Sequence, residues 1–154
     1  MEPSSPPRGG LSLKARAIAY LSRREHSRVE LARKLSAYCD DAAEIEQLLD
    51  MLQRGNWQSD ARFAEALVQR TSARQGTMRI MQTLRQHGLP DEALDDLRTR
   101  LQDSEGVRVR AVWQRKFGAL PVDARDYARQ YRFLASRGFS SDSVRRLLGA
   151  RDED

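Results

Sequence analysis

The chain is poor in the side chains that disulfides and metal centres require. Its 154 residues include one cysteine and two histidines, and aromatic residues make up only 6%. The lone Cys39 excludes an intramolecular disulfide and is typical of a reducing compartment, so we expect the cytoplasm. Apolar runs of about 18 residues and a signal-peptide stretch are both missing, so we expect no membrane segment.

Catalytic motifs are missing as well. His26 and His87 lie 61 residues apart among polar neighbours, and Cys39 stands at a predicted helix end. The sequence contains neither a phosphate-loop glycine pattern nor cysteines and histidines at metal-ligand spacing. We therefore predict no catalytic residue, no metal ligand and no cofactor, and we do not expect an enzyme.

What the chain does contain is a helical pattern that appears three times at intervals of 49 to 50 residues. Each copy starts with a leucine, has a small residue four positions later, and continues with apolar residues ten and thirteen positions after the leucine. The copies are Leu35, Cys39, Ile45 and Leu48; Leu84, Gly88, Leu94 and Leu97; and Leu134, Gly138, Val144 and Leu147. Such recurrence is typical of helical repeat proteins, which usually present a long surface to a long partner.

This period predicts an all-α fold of three tandem three-helix repeats that form an elongated, curved array. The predicted repeats cover residues 11–56, 57–103 and 104–150, between a disordered tail at 1–10 and an acidic tail at 151–154. Helix starts are marked by caps, such as the capping-box spacing of Ser27 and Glu30. No segment alternates with period 2, so we expect no sheet. Because a unit of this size has a marginal core, contacts between neighbouring repeats must stabilise it.

The charge of the chain favours an anionic partner. Its formal net charge is +5, and residues 105–154 carry 11 basic and 7 acidic side chains. We predict that a stripe of arginines on the second and third repeats contacts nucleic acid or an acidic protein face. The candidate residues are Arg70, Arg74, Arg85, Arg125, Arg129, Arg132, Arg137 and Arg145. The alternative is that the arginine stems merely cover apolar surface while their heads stay in water.

Six aromatic residues occupy positions that face other helices. They are Tyr20, Tyr38, Trp57, Trp113, Phe117 and Tyr127. Aromatic side chains at such positions contribute large apolar areas to a core. We predict that they pack inside the protein rather than stack on nucleic-acid bases.

Four sequence stretches, taken in order, resemble the RecX family. They are Ser27-x-x-Glu30-Leu31-x-x-Lys34-Leu35, Trp57-Gln58-Ser59-Asp60-Ala61-Arg62-Phe63-Ala64, Gly76-x-x-x-Ile80-x-x-x-Leu84-x-x-x-Gly88-Leu89, and Tyr131-x-x-x-x-x-x-Gly138-Phe139-Ser140. The resemblance covers residues 11–150. The chain departs from the family pattern at Cys39, where a glycine is common, and keeps only Asp60 of an acidic pair that usually follows the aromatic residue.

The resemblance implies a regulator of the bacterial RecA recombinase. RecX-like proteins bind in the groove of the RecA filament on single-stranded DNA and also contact DNA. The expected effects are inhibition of filament growth, ATP hydrolysis, strand exchange and the co-protease activity that triggers the SOS response. The expected partners are RecA, its filament and DNA itself, with no membrane, and the expected oligomeric state is a monomer.

Two other readings of the sequence lead to different functions. Residues 27–52 also fit the two helices of a helix-turn-helix transcription regulator, although the same unit recurs twice and no β-wing pattern follows. A third possibility is a helical scaffold that binds a different protein. The operator-binding regulator predicts strong discrimination among duplexes at fixed salt, and the scaffold predicts no effect on RecA.

Overall fold

The chain folds into α-helices, as the periodicity predicted. The computed structural model describes residues 10–149, which form eight helices and no strand. The helices are α1 (Leu13–Arg23), α2 (Arg28–Leu35), α3 (Ala42–Arg54), α4 (Asp60–Thr71), α5 (Thr77–Gln86), α6 (Asp91–Lys116), α7 (Ala124–Ser136) and α8 (Ser141–Leu148). The predicted tails at 1–10 and 151–154 lie outside the described residues, except for Gly10.

Two compact units make up the chain, Met1–Ala66 and Leu67–Asp154. In the first unit, helices α1 to α3 pack around Ala17, Leu31, Leu35 and the α3 stripe of Ile45, Leu48, Leu49 and Leu52. In the second unit, α6, α7 and α8 share a core of Val109, Val112, Trp113, Leu134, Phe139, Val144 and Leu148. Among these residues, the repeated pattern seen in the sequence includes Leu35, Ile45, Leu48, Leu134 and Val144.

Helix α6 differs from the prediction. The sequence suggested two helices separated near residue 103, whereas α6 is one continuous helix of 26 residues. Its buried face runs from Leu101 through Glu105 to Val109, with one residue per turn. Because Glu105 is polar and Gly106 follows it, this stretch looks like a break in the sequence, but a single helical glycine costs only about 1 kcal/mol. The predicted boundary between repeats 2 and 3 therefore lies inside a helix.

Local caps start the helices at the predicted places. The Ser27 hydroxyl accepts a hydrogen bond from the Glu30 N–H, and Asp41 and Asp123 cap α3 and α7 in the same manner. The single acid that remains after Trp57 also has a capping role. The Asp60 carboxylate accepts the N–H of Arg28 at 2.9 Å, so the start of α4 caps the start of α2.

The prediction that the aromatic residues are buried is confirmed for Trp113 and wrong for two others. Trp113 is 7% exposed, and its indole N–H donates to the side-chain oxygen of Gln130 at 2.8 Å. Trp57 is 55% exposed and Tyr38 is 42% exposed. The Arg16 guanidinium carbon lies 3.8 Å from the Tyr38 ring centroid. This partly exposed ring therefore makes a cation–π contact instead of packing in a core.

His26 is buried and not the surface residue that its polar neighbours suggested. Only 2% of it is exposed. Nδ1 donates to the Arg24 carbonyl at 3.0 Å, and the Lys34 ammonium donates to Nε2 at 3.0 Å. Burial lowers the pKa of His26, which keeps the ring neutral as an acceptor for Lys34. This arrangement gives His26 a structural role at the start of α2.

Acid is expected to destabilise the first unit through Glu30. Burial alone would raise the pKa of this carboxyl, but the hydrogen bonds and charge of Arg24 lower it to about 2, from an ordinary 4.5. A depressed pKa adds stability above pH 4.5, and this stability is lost as the pH falls towards 2. Because Arg24 is partly in water, we expect the loss to be about 1 kcal/mol.

Urea unfolding of Glu30→Gln across this pH range checks the prediction. The variant should be less stable than wild type near neutral pH and should change less as acid is added. Arg24→Gln should also flatten the acid profile, because it removes the group that lowers the Glu30 pKa. Full acid sensitivity in both variants would show that other carboxyls control the response.

Candidate anion-binding site

The eight arginines predicted from the sequence are all exposed, but the structure does not bring them together. Arg74 and Arg137 line the same groove in the second unit. Arg70 lies one turn before Arg74, and its carbonyl accepts a hydrogen bond from the Arg74 guanidinium at 3.3 Å. The remaining five, Arg85, Arg125, Arg129, Arg132 and Arg145, do not line this groove.

Some of those five are already engaged within the protein. Arg85 pairs with Asp91 at 2.9 Å, and Arg129 pairs with Asp126 at 2.8 Å. Arg132 donates to the carbonyl of Ala128 at 3.3 Å. An arginine that is paired with a carboxylate offers less net charge to a partner, so Arg85 and Arg129 are weaker candidates than the sequence indicated.

The groove that holds Arg74 and Arg137 is strongly cationic. It has a volume of about 450 Å³, and its lining contains five basic side chains and no carboxylate. The five are Arg74, Arg79, Arg115, Lys116 and Arg137, and we call this site the basic groove. Sequence analysis missed Arg79, Arg115 and Lys116, because they come from α5 and α6 and join the others only after folding.

The charge of the basic groove is not neutralised internally. Among residues 10–149, none of its five cations forms an ion pair with a carboxylate. Their hydrogen bonds go to main-chain carbonyls, as when Arg115 donates to Ala73 at 2.6 Å and Arg79 to Ser136 at 3.2 Å. These bonds orient the guanidinium groups and leave their full positive charge available to an anion.

An aromatic ring also helps to position two of the cations. Lys116 Nζ lies 5.3 Å from the centroid of the Phe133 ring, and the Arg137 guanidinium carbon lies 4.8 Å from it. The ring meets Phe117 edge-on, with centroids 5.4 Å apart. Because Phe133 contacts cations and another ring, it holds the charges of the groove in place by cation–π attraction.

Two glycines bring the walls of the basic groove together. The Gly76 N–H donates to the Arg137 carbonyl at 2.8 Å, and the Met78 N–H donates to the Gly138 carbonyl at 3.2 Å. A Cβ on Gly76 would overlap the Gly138 carbonyl, and a Cβ on Gly138 would overlap the main chain of Arg79. This close approach places the α4–α5 loop against the α7–α8 loop, and with it Arg74 beside Arg137.

A buried carboxylate lies beneath this junction. Glu105 accepts the Thr77 N–H at 3.0 Å, and its other oxygen accepts the hydroxyls of Ser140 at 3.0 Å and Ser143 at 2.6 Å. Burial alone would raise the pKa of Glu105, but these hydrogen bonds outweigh it and hold the pKa below its ordinary value. The carboxylate therefore links α6 to the first turns of α5 and α8.

Arg108, one turn further along α6, secures the α4–α5 loop. Its guanidinium donates to the carbonyls of Ser72 at 3.2 Å, Gln75 at 2.5 Å and Leu101 at 2.8 Å, and to the Thr77 hydroxyl at 3.1 Å. Burial lowers the pKa of Arg108. The negative charge of Glu105 acts in the opposite direction but does not outweigh burial. With so many of its donors satisfied inside the protein, Arg108 positions the loop that carries Arg74.

Replacing Glu105 with glutamine is expected to destabilise the second unit by about 2 kcal/mol. The glutamine amide has no negative charge. Its NH₂ group would face hydroxyls that in the wild type donate to the Glu105 carboxylate. An unsatisfied buried polar group costs about 1–3 kcal/mol. The loss is measured from urea unfolding. The control is Glu92→Gln, an exposed position on the same helix. Equal midpoints for the two variants would contradict a structural role for the buried carboxylate.

Two other kinds of site are missing from the described part of the chain. Residues 10–149 contain no group of three or more His, Cys, Asp or Glu side chains that could hold a metal ion. In the same part of the chain, no helix combines the length and apolar character that crossing a bilayer requires. We therefore take the basic groove as the candidate anion-binding site.

Comparison with known proteins identifies the family. Residues 59–97 match the family model for the second three-helix domain of RecX, and residues 107–148 match the model for the third. The chain belongs to the RecX family. The resemblance noted in the sequence is thereby confirmed, as is the all-α fold.

Relatives and a solved structure agree with this assignment. The chain is 49% identical to the regulatory protein RecX of Ralstonia pickettii over 147 residues, which are 96% of this chain and 92% of the relative. It is 51% identical to the regulatory protein RecX of Ralstonia nicotianae over 146 residues, 95% and 92% of the two chains. The crystal structure of RecX from Lactobacillus salivarius shares the fold at 22% identity, with a TM-score of 0.67 over 88% of this chain and 91% of that one.

Proposed function

We propose that this RecX-family chain binds the RecA recombinase and its filament on single-stranded DNA and mainly inhibits recombinase, ATPase and co-protease activity. The observation that carries the proposal is the basic groove, in which five cations meet and no carboxylate among residues 10–149 pairs with them. A RecA filament carries a phosphate backbone, and such a groove attracts phosphates by releasing their condensed counterions. Membership of the RecX family supports RecA as the protein partner.

The role of each arginine follows from its environment. The groove cations, among them Arg74 and Arg137, are the proposed anionic contacts of highest charge. The exposed residues Arg70, Arg125 and Arg132 extend the contact outside the groove. Because salt screens exposed charges, these residues are expected to raise the association rate more than the affinity. The proposed setting is the cytoplasm, and the proposed state is a monomer that makes several weak contacts with one filament.

A RecA ATPase assay on single-stranded DNA tests the proposal. Purified protein should lower the steady-state rate in proportion to its ratio to RecA. Binding to short duplexes of different sequence at fixed salt distinguishes an operator-binding regulator, which would discriminate strongly among them. The absence of any change in RecA activity, at every ratio and order of addition, would overturn the proposal and favour a scaffold for another protein.

A further inference from the structure

A second, larger groove lies in the same unit and has a different chemical character. It has a volume of about 840 Å³, within the range of about 300–1,000 Å³ that is typical of ligand clefts. The apolar part of its lining comes from Met78, Met81 and Ala135, and side-chain amides come from Gln82 and Gln102. We call this site the mixed groove.

Met78 is the most unusual residue of the mixed groove. It is 63% exposed, whereas Met81, three residues later on α5, is 2% exposed. Methionine is flexible and polarisable, so it adapts to apolar groups of different shape, and it is enriched at protein–protein interfaces. The exposed side chain of Met78 therefore provides an apolar floor in the groove, to which an apolar side chain can bind.

Three arginines surround this apolar floor. Arg79 lines both grooves and pairs with no carboxylate among residues 10–149. Arg85 and Arg98 are partly neutralised, by Asp91 at 2.9 Å and by Asp95 at 3.1 Å. No carboxylate lines the groove itself, so it remains cationic at its rim, but less so than the basic groove.

We propose that the mixed groove docks a peptide segment of a protein partner in which an apolar side chain is flanked by carboxylates. The apolar side chain packs on Met78, the carboxylates pair with Arg79 and its neighbours, and the amides of Gln82 and Gln102 bind the peptide main chain. A phosphodiester chain fits this site poorly, because it has no apolar side chain and finds more unneutralised cations in the basic groove. The assignment of RecA as the source of this peptide rests on the proposed function.

A charge introduced at Met78 tests whether the mixed groove binds such a peptide. Met78→Glu replaces the apolar contact by a carboxylate that repels an acidic peptide, at a position exposed enough to leave the fold intact. The matched control is Val107→Glu on α6, which is 77% exposed and lines neither groove. Binding to DNA-free RecA and binding to a single-stranded oligonucleotide are measured for both variants, and circular dichroism checks that they fold.

We expect Met78→Glu to bind RecA about tenfold more weakly than Val107→Glu and to bind the oligonucleotide equally well. Equal binding of RecA by the two variants would overturn the dock while leaving the proposed function in place. A loss of oligonucleotide binding that matches the loss of RecA binding would assign the groove to nucleic acid and also overturn the dock. If the wild type neither binds RecA nor alters its activity, the proposed function fails first.

Photo-crosslinking identifies the chemistry of the occupant independently. Benzoylphenylalanine in place of Ala135, an exposed residue of the groove lining, reports what lies over the groove in the complex with the RecA filament. Mass spectrometry of the adduct should give a peptide with an apolar residue next to at least two carboxylates. An adduct with DNA, or with a basic peptide, would contradict the proposal.

Discussion

Replacing Arg74, Arg115 and Arg137 together by glutamine is expected to weaken binding to the RecA–DNA filament by about 100-fold. These residues supply three of the five cations of the basic groove. A contact of about 1 kcal/mol for each charge gives about 3 kcal/mol, and 1.4 kcal/mol is a factor of ten. Fluorescence anisotropy with labelled filament measures the loss, and inhibition of ATP hydrolysis should need correspondingly more protein.

The salt dependence of binding distinguishes phosphate contacts from other effects of the triple change. Each lost phosphate contact on a single strand lowers the slope of log K against log salt by about 0.7, so the variant should lose about 2 from this slope. A triple change of Arg125, Arg129 and Arg132 to glutamine removes the same formal charge outside the groove. We expect its effect to be severalfold smaller. If the two triple variants bind equally, total charge rather than the basic groove governs binding.

Replacing Gly138 with alanine is expected to cost about 4 kcal/mol of folding stability. Gly138 has φ +92°, a left-handed conformation that favours glycine, and an added Cβ would overlap the main chain of Arg79. Relief of this overlap requires the α7–α8 loop to move away from α5, which breaks the hydrogen bonds from Gly76 and Met78. Urea unfolding measures the loss, and filament binding should fall with it because Arg137 moves away from Arg74.

Two other glycines separate the causes of this loss. Gly118 has φ +75° but only one neighbouring atom, at 3.6 Å, so Gly118→Ala isolates the backbone strain and should cost about 1 kcal/mol. Gly76 has φ −79°, so Gly76→Ala tests the close approach without this strain. We expect Gly76→Ala to cost nearly as much as the change at Gly138. A small effect at both Gly76 and Gly138 would mean that the two loops separate without penalty.

The local features of the fold could be predicted from the sequence because their causes are local. A cap such as Ser27 acts on an N–H three residues away, so its spacing is visible in the chain. The apolar stripe of α3, from Ile45 to Leu52, likewise depends on the helical period alone. These interactions hold whatever the rest of the protein does.

Helix α6 was missed for the opposite reason. Its buried face includes Glu105, whose carboxylate is satisfied by donors from Thr77, Ser140 and Ser143 in distant parts of the chain. An apolar-periodicity argument treats a carboxylate in that position as a break. Apolar periodicity therefore fails to predict a helix that passes through a buried polar group with satisfied hydrogen bonds.

The basic groove was predicted only in part. Arg74 and Arg137 were among the candidates because each belongs to the predicted stripe of arginines on the second and third repeats, but nothing in their local sequence links them. Their proximity comes from the contact of Gly76 with Gly138, 62 residues apart. Arg115 joins them through α6, which the sequence predicted as two separate helices. Grouping of surface charges is a tertiary property, whereas their number and spacing are not.

The junction of Gly76 with Gly138 has a consequence for how this surface evolves. Its two hydrogen bonds use main-chain atoms, so the junction itself does not depend on any arginine side chain. Substitutions at Arg74, Arg79 or Arg137 can therefore alter the affinity for a partner while the scaffold keeps its shape. Sequence drift at these three positions is therefore expected to change binding affinity and to leave the fold intact, provided that both glycines are kept.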